Sequence, residues 1–147
     1  MDKKIKSFIE EQKNLTFCTS TQNEPYCASC FYAFIKEENF LVIKSDKNSK
    51  HIVNALINDS LAGTIIPDLS KIGVIKGIQF TGKFITPTGE LLEKMKKAYY
   101  SRFPFALTMT AEIWGIEITG IKMTDNKLGF GKKLTWEKAP IKGNNAK

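Results

Sequence analysis

Phe40-Leu-Val-Ile-Lys-Ser45, Asp46-Lys-Asn-Ser-Lys-His51 and Ile52-Val-Asn-Ala-Leu56 follow one another without a break, and their reading decides the rest. Phe40–Ile43 has the apolar, β-branched content of a buried strand. A short basic Ser/Lys/His turn follows, and Ser49 is a good residue to cap a helix. Ile52, Val53, Leu56 and Ile57 then recur at helical spacing, which predicts one apolar helix face. The first turn of such a helix has unpaired backbone N–H groups and the positive end of the helix dipole. With the Ser45 and Ser49 hydroxyls and the ammonium groups of Lys44, Lys47 and Lys50 nearby, the turn is a candidate phosphate cradle. The plain alternative is a capped helix with solvated lysines.

A chain of 147 residues suits one domain with a real core. We expect it over residues 1–138, with 139–147 as a flexible tail. The opening Met1-Asp-Lys-Lys-Ile-Lys has no apolar run behind its lysines, and no stretch has the length to span a bilayer. The expectation is therefore a cytoplasmic protein with no membrane partner. The net charge of +7 invites a nucleic-acid reading, but 21 of the 22 basic residues are Lys and only Arg102 is Arg. Arg supplies bidentate readout of bases and phosphates, whereas Lys is a hydrated point charge. The lysines are also scattered, so a general preference for anions is supported and sequence-specific DNA reading is not.

Cys27-Ala-Ser-Cys30 has the spacing of a redox dithiol or half a zinc site. Tyr26–Ile35, however, reads as a strand, in which residues three apart face opposite ways at about 10 Å. A disulfide needs Cα atoms within about 7 Å. The expectation is that the pair is structurally idle and that Cys18, Cys27, Cys30 and His51 form no metal site.

Along the chain, residues 2–13 predict a helix capped by Asp2. Strands are expected at Leu15–Ser20, Tyr26–Ile35, Phe40–Ser45 and Leu61–Ile66, with a turn at Thr21–Pro25 and the cradle helix at Ser49–Asn58. Ile72–Thr86 is the longest strand candidate, with Ile72, Val74, Ile78, Phe80 and Phe84 on one face. Ile75, Gln79, Thr81 and Lys83 lie on the other, more polar face. Gly73, Gly77 and Gly82 suggest bends or bulges. A helix from Thr88 to Pro104 buries Leu91, Leu92, Met95, Ala98, Tyr99 and Phe103. Strands at Ile113–Met123 and Leu128–Trp136 flank a turn at Thr124–Lys127. Six or seven mostly antiparallel strands with two or three helices indicate an α+β barrel.

These motifs, in this order, resemble the FMN-binding split-barrel superfamily that includes pyridoxamine 5′-phosphate oxidase, most nearly its YhbP-like bacterial branch. Cys27-Ala-Ser-Cys-Phe-Tyr, Ser45-Asp-Lys-Asn-Ser-Lys-His, Gly77-Ile-Gln-Phe-Thr-Gly, Tyr100-Ser-Arg-Phe-Pro and Thr124-Asp-Asn-Lys-Leu-Gly-Phe-Gly-Lys-Lys carry the resemblance. It implies a split β-barrel, a homodimer and FMN, or another flavin, at the subunit interface. It also implies that Ser45, Ser49 and His51 meet the phosphate, His51 standing where a lysine is usual, with Lys47 or Lys50 supplying the missing charge. The strand backbone at Ala28, Ser29 and Cys30 would lie against the flavin ring, and Gln79 would reach the cofactor from the long strand. Lys132 and Lys133 are candidates to add positive charge. Trp114 and Trp136 are candidates to wall the ring, with burial in the core as the simpler role. Arg102 is explained as a cation at a helix C-terminus, or else pairs with a carboxylate or the phosphate.

The resemblance implies a flavin-dependent oxidoreductase, in which the flavin does the redox chemistry and the protein orients it. The residues name no catalytic acid, base or nucleophile and no substrate. Two other classes remain in view: a flavin- or haem-binding protein that stores or senses its ligand without turnover, and a basic barrel for nucleic acid.

Overall fold

The computed structural model describes residues 1–129 and 131–141. Its helices are α1 (Lys3–Glu11), α2 (Lys50–Ile57) and α3 (Gly89–Arg102). Its strands are β1 (Asn14–Thr21), β2 (Glu24–Ile35), β3 (Phe40–Ser45), β4 (Ser60–Ile65), β5 (Lys76–Ile85), β6 (Glu112–Asp125) and β7 (Lys133–Glu137). Phe130 and residues 142–147 of the expected tail lie outside the described residues. No described helix is long and apolar enough to cross a membrane.

The strands pair antiparallel in the order β3-β2-β1-β4-β5-β6-β7, and β3 also pairs with β6, so six of them close into a ring. Two long strands allow the closure. β2 gives its first part, up to Phe31, to β1 and Tyr32–Ile35 to β3. β6 gives Glu112–Glu117 to β3 and Gly120–Thr124 to β7, while β5 runs along its other edge. The ring is thus an α+β split barrel, as expected. Thr119 is an extra β6 residue between the pairs Thr81↔Gly120 and Gly82↔Ile118, a bulge that bends β6 where it runs along β5.

Inward-facing residues of alternate positions fill the barrel, among them Phe17, Tyr32, Leu41, Ile43, Ile65 and Ile116, each under 2 % exposed. Ile5, Phe8 and Ile9 of α1 join this core. The α1 start is set by Asp2, whose carboxylate accepts the Lys4 N–H at 2.7 Å. A second cluster holds α3 on the outside, with Met95, Tyr99 and Phe103 against Ala33, Ile35, Val42 and Ile113. Arg102 donates to the Gln12 carbonyl at 2.6 Å and lies over the Tyr32 and Phe103 rings. It therefore ties α3 to the end of α1, through a carbonyl rather than a carboxylate or phosphate.

Three expectations need correction. Ile72–Ile75 is not strand. Gly73 adopts φ +83°, Val74 N–H turns back to the Lys71 carbonyl, and Ile72 and Ile75 are exposed, so the apolar alternation runs on into a turn. The segment expected as strand at Leu128–Trp136 begins instead with a 3₁₀ turn at Asn126–Leu128, and β7 starts only at Lys133. In α2, Ile52 and Ala55 are buried with Asn54, whereas Val53, Leu56 and Ile57 are exposed. The expected apolar face is two faces, and only one meets the barrel. Asn54 takes the second inward place because its amide donates to Thr19 Oγ1 at 3.3 Å.

The cysteine expectation is also overturned in part. Gln22 and Asn23 both have positive φ, 51° and 62°, as a two-residue hairpin turn of type I′ demands. That turn sets the register Thr21↔Glu24, Ser20↔Pro25, Thr19↔Tyr26, Cys18↔Cys27. Cys18 and Cys27 therefore face each other with Cα atoms 4.2 Å apart and are joined by a disulfide. Cys27 is not idle; its partner is across the ladder rather than three residues along it. Cys30 is the free thiol among the described residues.

Candidate functional site

The turn between β3 and α2 is built by local hydrogen bonds. Asp46 accepts the Asn48 N–H on its carboxylate at 2.7 Å and the Ser49 N–H on its carbonyl at 3.0 Å. Glu112, opposite Ser45 in the β3–β6 ladder, accepts the Lys47 N–H at 3.0 Å. Trp114 is buried and donates its indole N–H to the Ser45 carbonyl at 2.9 Å. Ser45 Oγ and His51 Nε2 are 2.7 Å apart, and the His51 ring stands edge-on to Phe17. Burial pushes the His51 pKa below its ordinary value, which favours the neutral imidazole.

What this turn leaves open is its donor face. Ser49 sits at the N-cap of α2, yet its side chain makes no capping bond. Among the described residues, the backbone N–H groups of Lys50 and His51 also find no acceptor. Lys50 and Lys47 are exposed beside them, with the Lys50 ammonium 4.7 Å above the Tyr26 ring. Lys44 does not belong to the cradle. Its ammonium points to the other side of the sheet, donating to Tyr100 Oη and to the Ala106 and Met109 carbonyls. The chemistry of the donor set suits a phosphate: one hydroxyl, two backbone amides and two exposed cations at a helix N-terminus.

The remaining expected residues divide between the two faces of the sheet. Ala28 and Cys30 pack against the barrel core, the same side as Phe17 and His51. Burial pushes the Cys30 thiol up to about 11, so it is inert as a nucleophile at neutral pH. Ser29 faces outward and hydrogen-bonds Thr16 at 2.9 Å. Gln79 also faces outward, three strands away along the row Ser29↔Thr16↔Thr64↔Gln79↔Lys122. At the usual strand spacing this separation is about 14 Å. Lys132 is exposed on the loop before β7; it is Lys133 that borders the same groove as Gln79.

The outer face also carries a cleft of about 600 Å³ that the sequence did not announce, with Cys18, Thr64, Gln79, Thr81 and Trp136 among its lining. Its floor is small because two registered rows bring Cys18, Ala62, Thr64, Thr81 and Gly120 side by side. The signal was present as small residues at alternate positions of four strands, but only the register shows that they align. No group of three metal-ligating side chains occurs among the described residues.

The fold is shared with solved proteins of low sequence identity. A haem-binding protein from Mycobacterium smegmatis superposes with a TM-score of 0.76 at 13 % identity, over 88 % of this chain and about half (55 %) of that one. A FAD-binding protein from Mesorhizobium loti gives 0.68 at 12 % identity, over 85 % of this chain and 95 % of the other. A NimC/NimA family protein from Clostridium acetobutylicum gives 0.67 at 15 % identity, over 92 % and 91 %. No family model matches the chain. Proteins of Yersinia pestis and Yersinia pseudotuberculosis named UPF0306 protein are 37 % identical to it over 134 residues, 91 % of each chain. The chain therefore belongs to the UPF0306 family.

Proposed function

We propose that this split barrel binds FMN as a homodimer and belongs with the YhbP-like relatives of pyridoxamine 5′-phosphate oxidase. The observation that carries the reading is the open donor set at the start of α2: the Ser49 hydroxyl and the Lys50 and His51 N–H groups, all without a protein acceptor. A phosphate there would take hydrogen bonds from all three, with charge from Lys50 and Lys47. Proteins that share this fold include a FAD-binding protein and a haem-binding protein, which supports a large planar cofactor in this architecture.

Within that reading the protein's own groups bind and orient. Ser45 and Trp114 hold the turn in shape, and Ser45 holds the His51 ring in its place. Gln79 lies on the opposite face of the sheet from the turn, so it would serve a cofactor held by the partner subunit. The exposed Val53, Leu56 and Ile57 offer apolar surface to such a partner. Bound flavin supplies the redox chemistry, which makes an oxidoreductase the natural activity. Cytoplasmic residence and a single domain over residues 1–138 complete the proposal.

The haem alternative has a specific weakness. His51 is the chain's one histidine, and its Nε2 is engaged by Ser45. Absorbance of the purified protein tests both readings: flavin bands between about 350 and 500 nm are expected, and a Soret band or no chromophore with no uptake of added FMN overturns the proposal.

A further inference from the structure

We propose that Cys18 and Cys27 are a reversible thiol–disulfide site that reacts with an external thiol couple and sets how firmly α2 is held. The bond is not needed to bring β1 and β2 together. Eight consecutive register pairs and a two-residue turn already do so, and the bridge closes only a nine-residue separation. A short loop already closed by a hairpin leaves little entropy for a cross-link to remove.

Accessibility points the same way. Cys27 is exposed on the outer face, and Cys18 lines the open cleft beside it. Exposed disulfides are the ones that exchange. A thiolate can attack Cys27 Sγ. The new S–S bond forms as the Cys27–Cys18 bond breaks, and the electron pair leaves on Cys18 Sγ, which then takes a proton from water. A second external thiolate then attacks the sulfur of the first, the external S–S bond forms as the bond to Cys27 breaks, and the electron pair leaves on Cys27 Sγ, which takes a proton from water. The protein gains two electrons and two protons, and the external thiols become a disulfide. Cys30 cannot enter this exchange, because it faces the barrel core.

The residues next to the pair are those on which α2 rests. Thr19, adjacent to Cys18, accepts from the buried Asn54 amide and donates to the Tyr26 carbonyl. Tyr26, adjacent to Cys27, lies under the Lys50 ammonium. The Ser20 carbonyl accepts from the Asn58 amide at 2.8 Å. The bridge thus adds little to global stability but ties together the strand ends that receive Asn54, Lys50 and Asn58, so opening it frees those ends locally while the ladder stays paired.

Wild-type protein equilibrated with oxidised or with reduced glutathione provides the test. Mass-resolved alkylation of the native protein should show two more reactive thiols in the reduced form, at Cys18 and Cys27. Amide exchange across Lys50–Ile57 should be about threefold or more faster in that form. A pair that stays reduced in oxidised glutathione, or a bridge to Cys30, overturns the site. Equal exchange in both forms overturns the coupling. A Cys18→Ser/Cys27→Ser double variant should reproduce the reduced exchange pattern. Any effect on ligand rests on the flavin reading: tighter FMN binding by the oxidised form extends the coupling to the cradle. Failure of both forms to bind FMN overturns the flavin reading and leaves the thiol and exchange results standing.

Discussion

Ser45 Oγ lies 2.7 Å from His51 Nε2, so the last residue of β3 and the second residue of α2 are joined across the turn between them. The bond fixes the imidazole and leaves the Ser49 hydroxyl as the free side-chain donor at the helix entry. These two serines therefore have different jobs, and substitutions should separate them.

Ser49→Ala should weaken FMN by about 1–3 kcal/mol, the cost of a hydrogen bond to a charged group. Riboflavin, which lacks the phosphate, should be nearly unaffected. Because Ser49 makes no capping bond, stability should change by less than about 0.5 kcal/mol. Parallel titrations and a urea melt check this; equal loss of both ligands would remove the phosphate from this turn.

His51 should make the ligand-free fold sensitive to acid. Burial lowers its folded pKa, so between that value and the unfolded value of about 6.5 the unfolded chain binds more protons. The contribution is fully present above about pH 6.5 and is lost as pH falls through the folded pKa. Urea midpoints from pH 8 to 5 should fall in wild type with a steeper slope than in His51→Gln. A bound phosphate favours the cation instead, so FMN should reverse part of this trend until its own second ionisation, near pH 6, intervenes.

Subunit complementation tests where Gln79 acts. If Ser49 and Gln79 serve one cofactor from two subunits, Ser49→Ala and Gln79→Ala proteins, each defective alone, should regain FMN sites when re-associated together. Random pairing leaves about a quarter of the sites intact. No recovery after verified exchange of subunits would put both residues in one chain's site.

Gly63→Ala should destabilise by about 1–3 kcal/mol. A Cβ at this position would run into the Phe80 ring and the Thr16 carbonyl, and the carbonyl belongs to the neighbouring strand and cannot yield. Ala62→Ser, one residue away on the exposed outer face, should be near neutral in the same denaturation assay.

The barrel was legible in the sequence because strand periodicity and turn chemistry agree along most of the chain. The strand, turn and helix from Phe40 to Ile57 were legible for the same reason: an apolar strand, a polar turn and a serine at the N-cap position are local features. What failed was tertiary. Val53, Leu56 and Ile57 have helical spacing, but only packing tells which apolar stripe the barrel covers. Cys18 and Cys27 were within reach, since a two-residue turn at Gln22-Asn23 dictates their pairing. Neither residue is the glycine that usually marks such a turn, so its positive φ values were hidden. Gln79 was read correctly as outward-facing, while its distance from Ser29 depends on strand order, which no local pattern encodes.

The division of one β6 edge between β3 and β7 has a consequence for how the chain is made. Closure of the ring needs Phe40 to meet Glu117 and Ser45 to meet Glu112, residues 77 and 67 positions apart. Such distant pairing raises contact order and slows folding. On the ribosome, β1–β5 emerge before β6 exists, so β3 and β5 must wait as unpaired sheet edges. Nascent chains truncated before Glu112 should accordingly be prone to edge-to-edge aggregation, with protection arriving only as Ile113–Glu117 leaves the exit tunnel.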